Sequence, residues 1–428
     1  MNAILVGLNT DSDEEAFERS MNELKELTKA LDLTVAAVMT QNLDSPDRST
    51  YIGSGKVIEL AASLDVFEAD IIIFNDTLSP MQIRNLEKAT DTEVMDRTGL
   101  ILQIFAKRAR TREARLQVEY AQLKYMLPRL AHMKTSLSRQ GGGSGRLSNK
   151  GSGEKQLELD RRRIEHRMSE LKRELDNVER ERSTQRVKRL SSSIPKISLV
   201  GYTNAGKSTI MNNMLRLYGG ESYEEKTVLE KDMLFATLDT SVRKIAAPGH
   251  RPFVLTDTVG FISELPTTLV KAFKSTLEEA NYADMIFEVI DFSDPEYRFH
   301  MEVTQKTLAE IGAGHVPVIY VFNKSDIVRD EQMKGPQLPI EVPRAIDDRI
   351  YICAKEDDSL DALISLMEKK LDEGEALCDM LLPYSEGALL SSFSERGIIK
   401  NTEYLPEGIQ ISVSLNSVDL ARYKNYLI

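Results

Sequence analysis

Residues 197–209 read ISLVGYTNAGKST, and this stretch decides the fold. Four apolar-rich residues run into Gly201, four residues follow, and then come Gly206, Lys207 and Ser208. That spacing is the full phosphate-loop pattern between a buried strand and a helix. Glycine lets the backbone of Gly201, Tyr202, Thr203, Asn204, Ala205 and Gly206 curl so that N–H groups face phosphate oxygens. Lys207 reaches the terminal phosphates, the Ser208 hydroxyl is a Mg²⁺ ligand, and Thr209 continues into the helix.

Three more boxes follow in chain order, each at the end of an apolar strand, where α/β sheets bind ligands. FVLTDTVG delivers Asp257, Thr258, Val259 and Gly260. Asp257 suits Mg²⁺ through a water, and Gly260 has no side chain to keep its N–H from a γ-phosphate. VIYVFNKSD delivers Asn323, Lys324, Ser325 and Asp326. The Asp326 carboxylate accepts from guanine N1–H and the 2-amino group, which adenine lacks, so the nucleotide is GTP/GDP. YICAKED places Cys353, Ala354 and Lys355 where a loop backs the base. The domain is therefore a P-loop GTPase domain.

Between the first two boxes lies MLFATLDTS, which supplies Phe235, Ala236, Thr237, Leu238 and Asp239. A threonine here ligates Mg²⁺ when the γ-phosphate is present; Thr237 is the choice, with Thr227 and Thr240 as alternatives. The expected catalytic set is Lys207, Thr237, Gly260 and Asn204. Phe261 stands where many signalling GTPases carry a glutamine that orients water, and a phenyl ring cannot do that. Hydrolysis is expected to be slow until a partner reshapes the site. Asn204 has two readings of equal weight, a ligand for a monovalent cation such as K⁺ or a loop-stabilising amide.

Working outward, strand-like and helix-like segments alternate through residues 1–105, which predicts an N-terminal α/β domain with a mainly parallel sheet. Its YIGSGKV, residues 51–57, lacks phosphate-loop spacing and reads as a helix entry. Ser79 and Pro80 mark another helix start. Residues 106–190 read as a helical hairpin. Leu116, Tyr120, Leu123, Leu127 and Leu130 form one stripe; Leu157, Ile164, Met168, Leu171, Leu175 and Val178 form a second. The glycine-rich stretch, residues 139–163, reads as the hairpin tip where it opens and runs straight into the helix-forming, arginine-rich segment that carries the second stripe. The GTPase domain spans residues 191–373, and residues 374–428 form a small α+β C-terminal domain.

The charge is uneven. The chain of 428 residues carries a net −12, yet Lys107–Lys150 holds eleven Lys/Arg against two Asp/Glu. A basic patch in an acidic protein is the footprint of a polyanion-binding surface, with Arg139, Arg146 and Lys150 as candidate RNA contacts. Two cysteines, Cys353 and Cys378, exclude a disulfide framework and lack metal-ligand spacing. No apolar run is long enough to span a bilayer. The expectation is a cytoplasmic monomer with no DNA partner and at most peripheral contact with a membrane.

Taken in order, YIGSGKV, DRTGLILQIFAKRARTREARLQVEYAQLKY, GSGEKQLELDRRRI, GYTNAGKST, LFATLD, DTVGFI, NKSD and LLPYSEGALLSSF resemble the HflX family of translation-factor-class GTPases. The resemblance covers nearly the whole chain. It implies ribosome-stimulated GTP hydrolysis, binding to the large ribosomal subunit and its RNA, and splitting or rescue of stalled or idle ribosomes, often under stress. It also implies some ATP binding. Ser152 stands where the family has proline, and Cys353 where serine is commoner. An assembly GTPase acting on immature large subunits is the alternative. A GTP-gated adaptor without enzymatic turnover is a third reading.

Overall fold

The computed structural model describes residues 1–10, 13–139, 150–190, 194–219, 235, 241–263, 278–333, 339–373, 375–415 and 417–428. The chain divides into two units. The first is Met1–Gln185 with Phe235 and Ser263; the second holds the other described residues.

In the first unit, β1 (Asn2–Asn9), β2 (Thr34–Asn42), β3 (Ile71–Phe74) and β4 (Glu93–Asp96) form a parallel sheet in the order β2-β1-β3-β4. The runs AILVGL and IIIF are buried on both faces, as parallel strands covered by helices require. Ile4, Val6, Ile72 and Phe74 enter one core with Leu60, Leu64 and Leu86 from the covering helices. Helix α1 (Glu14–Ala30) is capped by Asp13, whose carboxylate accepts from the Ala16 N–H at 3.0 Å. Helix α2 (Ser54–Val66) starts just after Gly53, so YIGSGKV is a helix entry. Helix α3 (Pro80–Thr90) begins with a reciprocal Ser79–Gln82 capping box and proline in its first turn.

Helix α4 (Arg97–Arg108) is capped by Asp96, which is fully buried and heavily bonded. Asp96 accepts from the Gly99 N–H (2.8 Å), the Leu78 N–H (3.1 Å), the Tyr125 hydroxyl (2.5 Å) and Arg129 (2.9 Å). Tyr125 and Arg129 belong to α5 (Arg112–Arg139), so one carboxylate ties the long helix to the sheet domain. Helix α6 (Lys150–Leu190) returns antiparallel to α5. The ion pairs Arg167–Glu119 (2.7 Å) and Arg112–Glu174 (2.9 Å) fix that direction, and Leu171 is fully buried beside the seam.

The structure shifts one helix start. Helix α6 begins at Lys150, so Gly151, Ser152 and Gly153 lie in the helix whose stripe the sequence shows from Leu157 onward. Gly151 and Gly153 each cost a helix about 1 kcal/mol relative to alanine, but they lie next to a long run of helix formers, and extending an existing helix is far easier than nucleating one.

In the second unit a seven-stranded sheet runs in the order β10-β11-β9-β8-β5-β7-β6. Its members are β5 (Lys196–Val200), β6 (Ser241–Ile245), β7 (Phe253–Asp257), β8 (Met285–Asp291), β9 (Val318–Asn323), β10 (Arg344–Ile346) and β11 (Arg349–Tyr351). The pairs β6–β7 and β10–β11 are antiparallel and the others parallel. The helices are α7 (Lys207–Tyr218), α8 (Tyr297–Glu310), α9 (Ser325–Gln332) and α10 (Asp357–Asp372). Met211, Met214, Leu363 and Met367 pack on Ile197, Leu255 and Phe287 of the sheet.

The C-terminal part has β12 (Ala376–Leu382), α11 (Gly387–Glu395), β13 (Ile399–Leu405), β14 (Gly408–Leu415) and α12 (Ser417–Arg422). Its antiparallel sheet has the order β12-β14-β13, and Phe393 fills its core against Ile411 and Val413. The whole is the expected α/β architecture with a P-loop GTPase fold and a small α+β C-terminal domain.

Candidate nucleotide site

Strand β5 ends at Val200 and the phosphate loop begins. Gly201 has φ +143° and Gly206 has φ +100°. A Cβ at Gly201 would run into the Val289 carbonyl, and one at Gly206 into the Asn323 amide. Only glycine fits either place.

Lys207 opens α7 and is 6% exposed. Its ammonium donates to the carbonyls of Gly201 (2.9 Å) and Tyr202 (2.6 Å). Burial pushes its pKa down to about 8, with Asp257 working in the opposite direction. An arriving phosphate would restore full protonation, so the site holds a cation aimed at an anion. Ser208 Oγ donates to Asp257 Oδ2 at 2.9 Å, and Asp257 is completely buried at the end of β7. Together they offer two hard oxygens beside the lysine, the donor type that Mg²⁺ prefers. Thr258 Oγ1 donates to the Leu199 carbonyl at 2.7 Å, which pins the DTVG loop to the strand before the phosphate loop.

Asn323 joins two loops. Its amide nitrogen donates to the Ala205 carbonyl (2.9 Å), and its oxygen accepts from the Ala354 N–H (2.9 Å). The asparagine of the guanine box therefore acts as a bracket between the phosphate loop and Cys353–Ala354–Lys355. Asn213 of α7 adds a bond to the Ala354 carbonyl at 2.9 Å. Lys324 has φ +60° and pairs with Asp291 at 2.6 Å. Ser325 Oγ donates to the Phe322 carbonyl at 2.7 Å. Burial raises the Cys353 thiol pKa; the backbone at Lys355 lowers it, while neighbouring Asp326 raises it further, which keeps the thiol protonated.

Gly201 through Thr209, Asp257 through Gly260, Asn323 through Asp326, and Cys353 through Lys355 thus lie along the carboxyl ends of β5, β7, β9 and β11. Asn204 has φ +62° in the loop. The switch candidates Ala236, Thr237, Leu238 and Asp239, and the alternatives Thr227 and Thr240, lie outside the described residues. Phe235 belongs to the first unit, its ring edge-on against Phe105 at 4.7 Å. Arg146 lies outside the described residues; Arg139 and Lys150 mark the facing ends of α5 and α6, and their side chains lie outside as well.

Three contacts had no motif to announce them. The Tyr202 ring stacks on His300 of α8, with centroids 3.9 Å apart and planes 17° from parallel. Asp291 at the end of β8 takes Lys324. Phe261 forms a parallel β-bridge with Tyr202. The only sequence hint for Asp291 was its place at the end of an apolar strand; stacking across nearly a hundred residues leaves no spacing to read.

Residues 18–106 match the family described as "GTP-binding GTPase N-terminal", 108–189 "GTP-binding GTPase Middle Region", and 196–324 "50S ribosome-binding GTPase". The chain is 40% identical over 426 residues to "GTPase HflX" of Caldanaerobacter subterraneus subsp. tengcongensis, covering 100% of this chain and 94% of that one. It is 36% identical over 422 residues to "GTPase HflX" of Escherichia coli K12, covering 98% and 95%. A GTP-binding protein from Sulfolobus solfataricus in complex with GDP aligns over 86% of this chain and 98% of its own, at 25% identity and a TM-score of 0.43. Among the described residues no helix is long and apolar enough to cross a membrane. With the nucleotide boxes assembled on one sheet edge and relatives matched from end to end, the chain belongs to the HflX family of GTPases and is a GTP hydrolase.

Proposed function

We propose that this GTPase binds the large ribosomal subunit and uses GTP binding and hydrolysis to split or rescue stalled or idle ribosomes. One observation carries the reading. The chain matches its relatives through the basic middle region, residues 108–189, as well as through the GTPase boxes. In that region two long antiparallel helices run out from the sheet domain. A helical arm whose sequence is basic from Lys107 to Lys150 suits contact with RNA phosphates, which would make binding steeply salt-dependent. Arg139, Arg146 and Lys150 are the proposed contacts.

At the nucleotide site Ser208 would hold Mg²⁺ directly, Asp257 through water, and Thr237 would complete the set with GTP bound. The ion would neutralise charge between the β- and γ-phosphates. Lys207 and the Gly260 N–H would stabilise the transferring phosphoryl group, and Asp326 would select guanine. Asn204 would either accept K⁺ as an added positive charge or serve only as a loop-stabilising amide; equal turnover in potassium and sodium would refute the cation role. The protein would act in the cytoplasm, where ribosomes are.

The test is GTP turnover with and without purified large subunits, on the wild type and on a variant lacking Gly141–Lys150. Stimulation of the wild type and its loss in the deletion is expected. Sedimentation then separates the roles: 70S particles converted to subunits support splitting, whereas co-migration with immature large subunits alone supports an assembly role. Turnover indifferent to large subunits would sink both.

A further inference from the structure

Two of the contacts at the nucleotide site come from one short segment that carries no nucleotide motif. It runs from Asp291, the last residue of β8, to His300 in the first turn of α8. Its start is fixed to the sheet. Asp291 is the register partner of Asn323, and the Phe292 N–H donates to the Asn323 carbonyl at 2.9 Å. The Phe292 ring packs edge-on against Phe322 and Tyr351, with centroids 5.5 and 5.2 Å away. The chain then turns tightly. Asp291 Oδ1 accepts from the Ser293 hydroxyl (2.6 Å) and N–H (3.1 Å), and Asp294 Oδ1 accepts from the Glu296 N–H (2.9 Å).

At one end this segment holds the guanine box. With Oδ1 engaged by Ser293, Asp291 presents Oδ2 to the Lys324 ammonium. Lys324 has a left-handed φ of +60°, which a residue other than glycine keeps only when its surroundings hold it. That turn carries the chain from β9 into α9 and so sets the position of Asp326, in the first turn of α9.

At the other end the segment holds the phosphate loop. The His300 ring lies on the Tyr202 ring. The Thr304 hydroxyl braces His300 by donating to its carbonyl at 2.9 Å, and Asp294 Oδ2 lies 3.7 Å from its Nδ1. Tyr202 is 8% exposed, and its carbonyl is one of the two that hold the Lys207 ammonium. On either side of it, the Gly201 carbonyl and the Thr203 N–H bond to Phe261 at 3.1 and 2.8 Å. The bridge therefore pins the backbone of Tyr202, and the stack pins its side chain.

We propose that Asp291 and His300 are positioning residues for guanine nucleotides, each serving a different half of the ligand. Asp291 preorganises the guanine box for the base; His300 preorganises the phosphate loop for the pyrophosphate group. A loop already in its binding conformation needs less ordering when the ligand arrives. The His300 effect extends to any ligand that fills the phosphate loop, whatever its base. The Asp291 effect is confined to ligands with a base, and is largest for one that offers Asp326 both donors.

The affinities of GDP, inosine diphosphate and inorganic pyrophosphate for the full chain, measured by displacement of a fluorescent GDP analogue, separate the two halves. Inosine diphosphate lacks the 2-amino group, so its ratio to GDP reads Asp326, and pyrophosphate reads the phosphate loop alone. His300→Ala is expected to weaken all three by one factor, about twofold to tenfold. His300→Phe, which keeps a ring for the stack, is expected to restore them. Asp291→Asn keeps the shape but removes the charge that holds Lys324. It is expected to weaken GDP by about three- to fivefold, to narrow the preference over inosine diphosphate, and to leave pyrophosphate at the wild-type value. Should that variant not fold, Ser293→Ala, which takes one bond from Asp291 Oδ1, is expected to shift the preference the same way by less. Pyrophosphate binding to His300→Ala as tightly as to wild type, or no rescue by phenylalanine, would overturn the role of His300. Pyrophosphate weakening in step with GDP, or an unchanged base preference, would overturn that of Asp291.

Discussion

Glu288 lies in the middle of β8, 1% exposed, on the sheet beside Tyr320 of β9. Among the described residues neither carboxyl oxygen has a hydrogen-bond partner of proper geometry. Burial pushes its pKa up to about 8, and nearby Gln305 only eases the shift. Near neutral pH the folded protein therefore holds a protonated carboxylic acid, while the unfolded chain holds a carboxylate. Unfolding releases a proton, so stability is fully present below the unfolded pKa and declines as pH rises through the folded one. The slope approaches about 1.4 kcal/mol per pH unit. From pH 6 to pH 8 the wild type should lose about 2 kcal/mol from this group. Glu288→Gln removes the ionisation at nearly the same volume and should flatten that part of the profile. The assay is urea unfolding followed by circular dichroism, using the transition that GDP shifts to report on the nucleotide-binding unit. The two profiles should diverge between pH 6 and 8 and run parallel above pH 9. Parallel profiles across the whole range would refute the reasoning, since they would mean that Glu288 is already ionised in the fold.

A second titration runs in the same direction for another reason. Burial works to lower the pKa of His250, but Glu368 and Asp361, each 3.0 Å from a ring nitrogen, raise it overall. The clasp between the β6–β7 turn and α10 should weaken as pH rises through that raised pKa, and Glu368→Gln should move the His250 NMR titration to lower pH. An unmoved titration would show that the pair does not form in solution. Asp326→Asn should lower the preference for GTP by at least about a hundredfold, because its amide presents a donor to the guanine 2-amino group. The same variant should take up xanthosine triphosphate, whose carbonyl accepts from that amide; nucleotide competition checks both.

Much of the nucleotide site was legible in the sequence because phosphate geometry fixes spacing. Gly201, Gly206, Lys207 and Ser208 must fall where they do for N–H groups, ammonium and hydroxyl to converge on one anion. The buried parallel strands were legible for a similar reason, since AILVGL, IIIF and ISLV leave no polar face for solvent. Helix α3 announced its start through Ser79 and Pro80. Only the helix start within the glycine stretch was not legible: local propensity favours a loop at Gly151 and Gly153, whereas the helix read from Leu157 onward extends back to Lys150.

The sequence alone determined the fold class, the nucleotide and the elements that carry it, because those depend on short-range patterns and on residues with no substitute. The tertiary structure decided what depends on neighbours far along the chain. Asn323 became a bracket once β9, the phosphate loop and residue 354 were assembled. Glu288 became a buried acid only when α8 closed over the sheet. Phe261 read in sequence as a missing glutamine; the fold made it half of a β-bridge. A hydrogen bond between backbones needs only proximity and direction, and neither is written in the identity of the side chain.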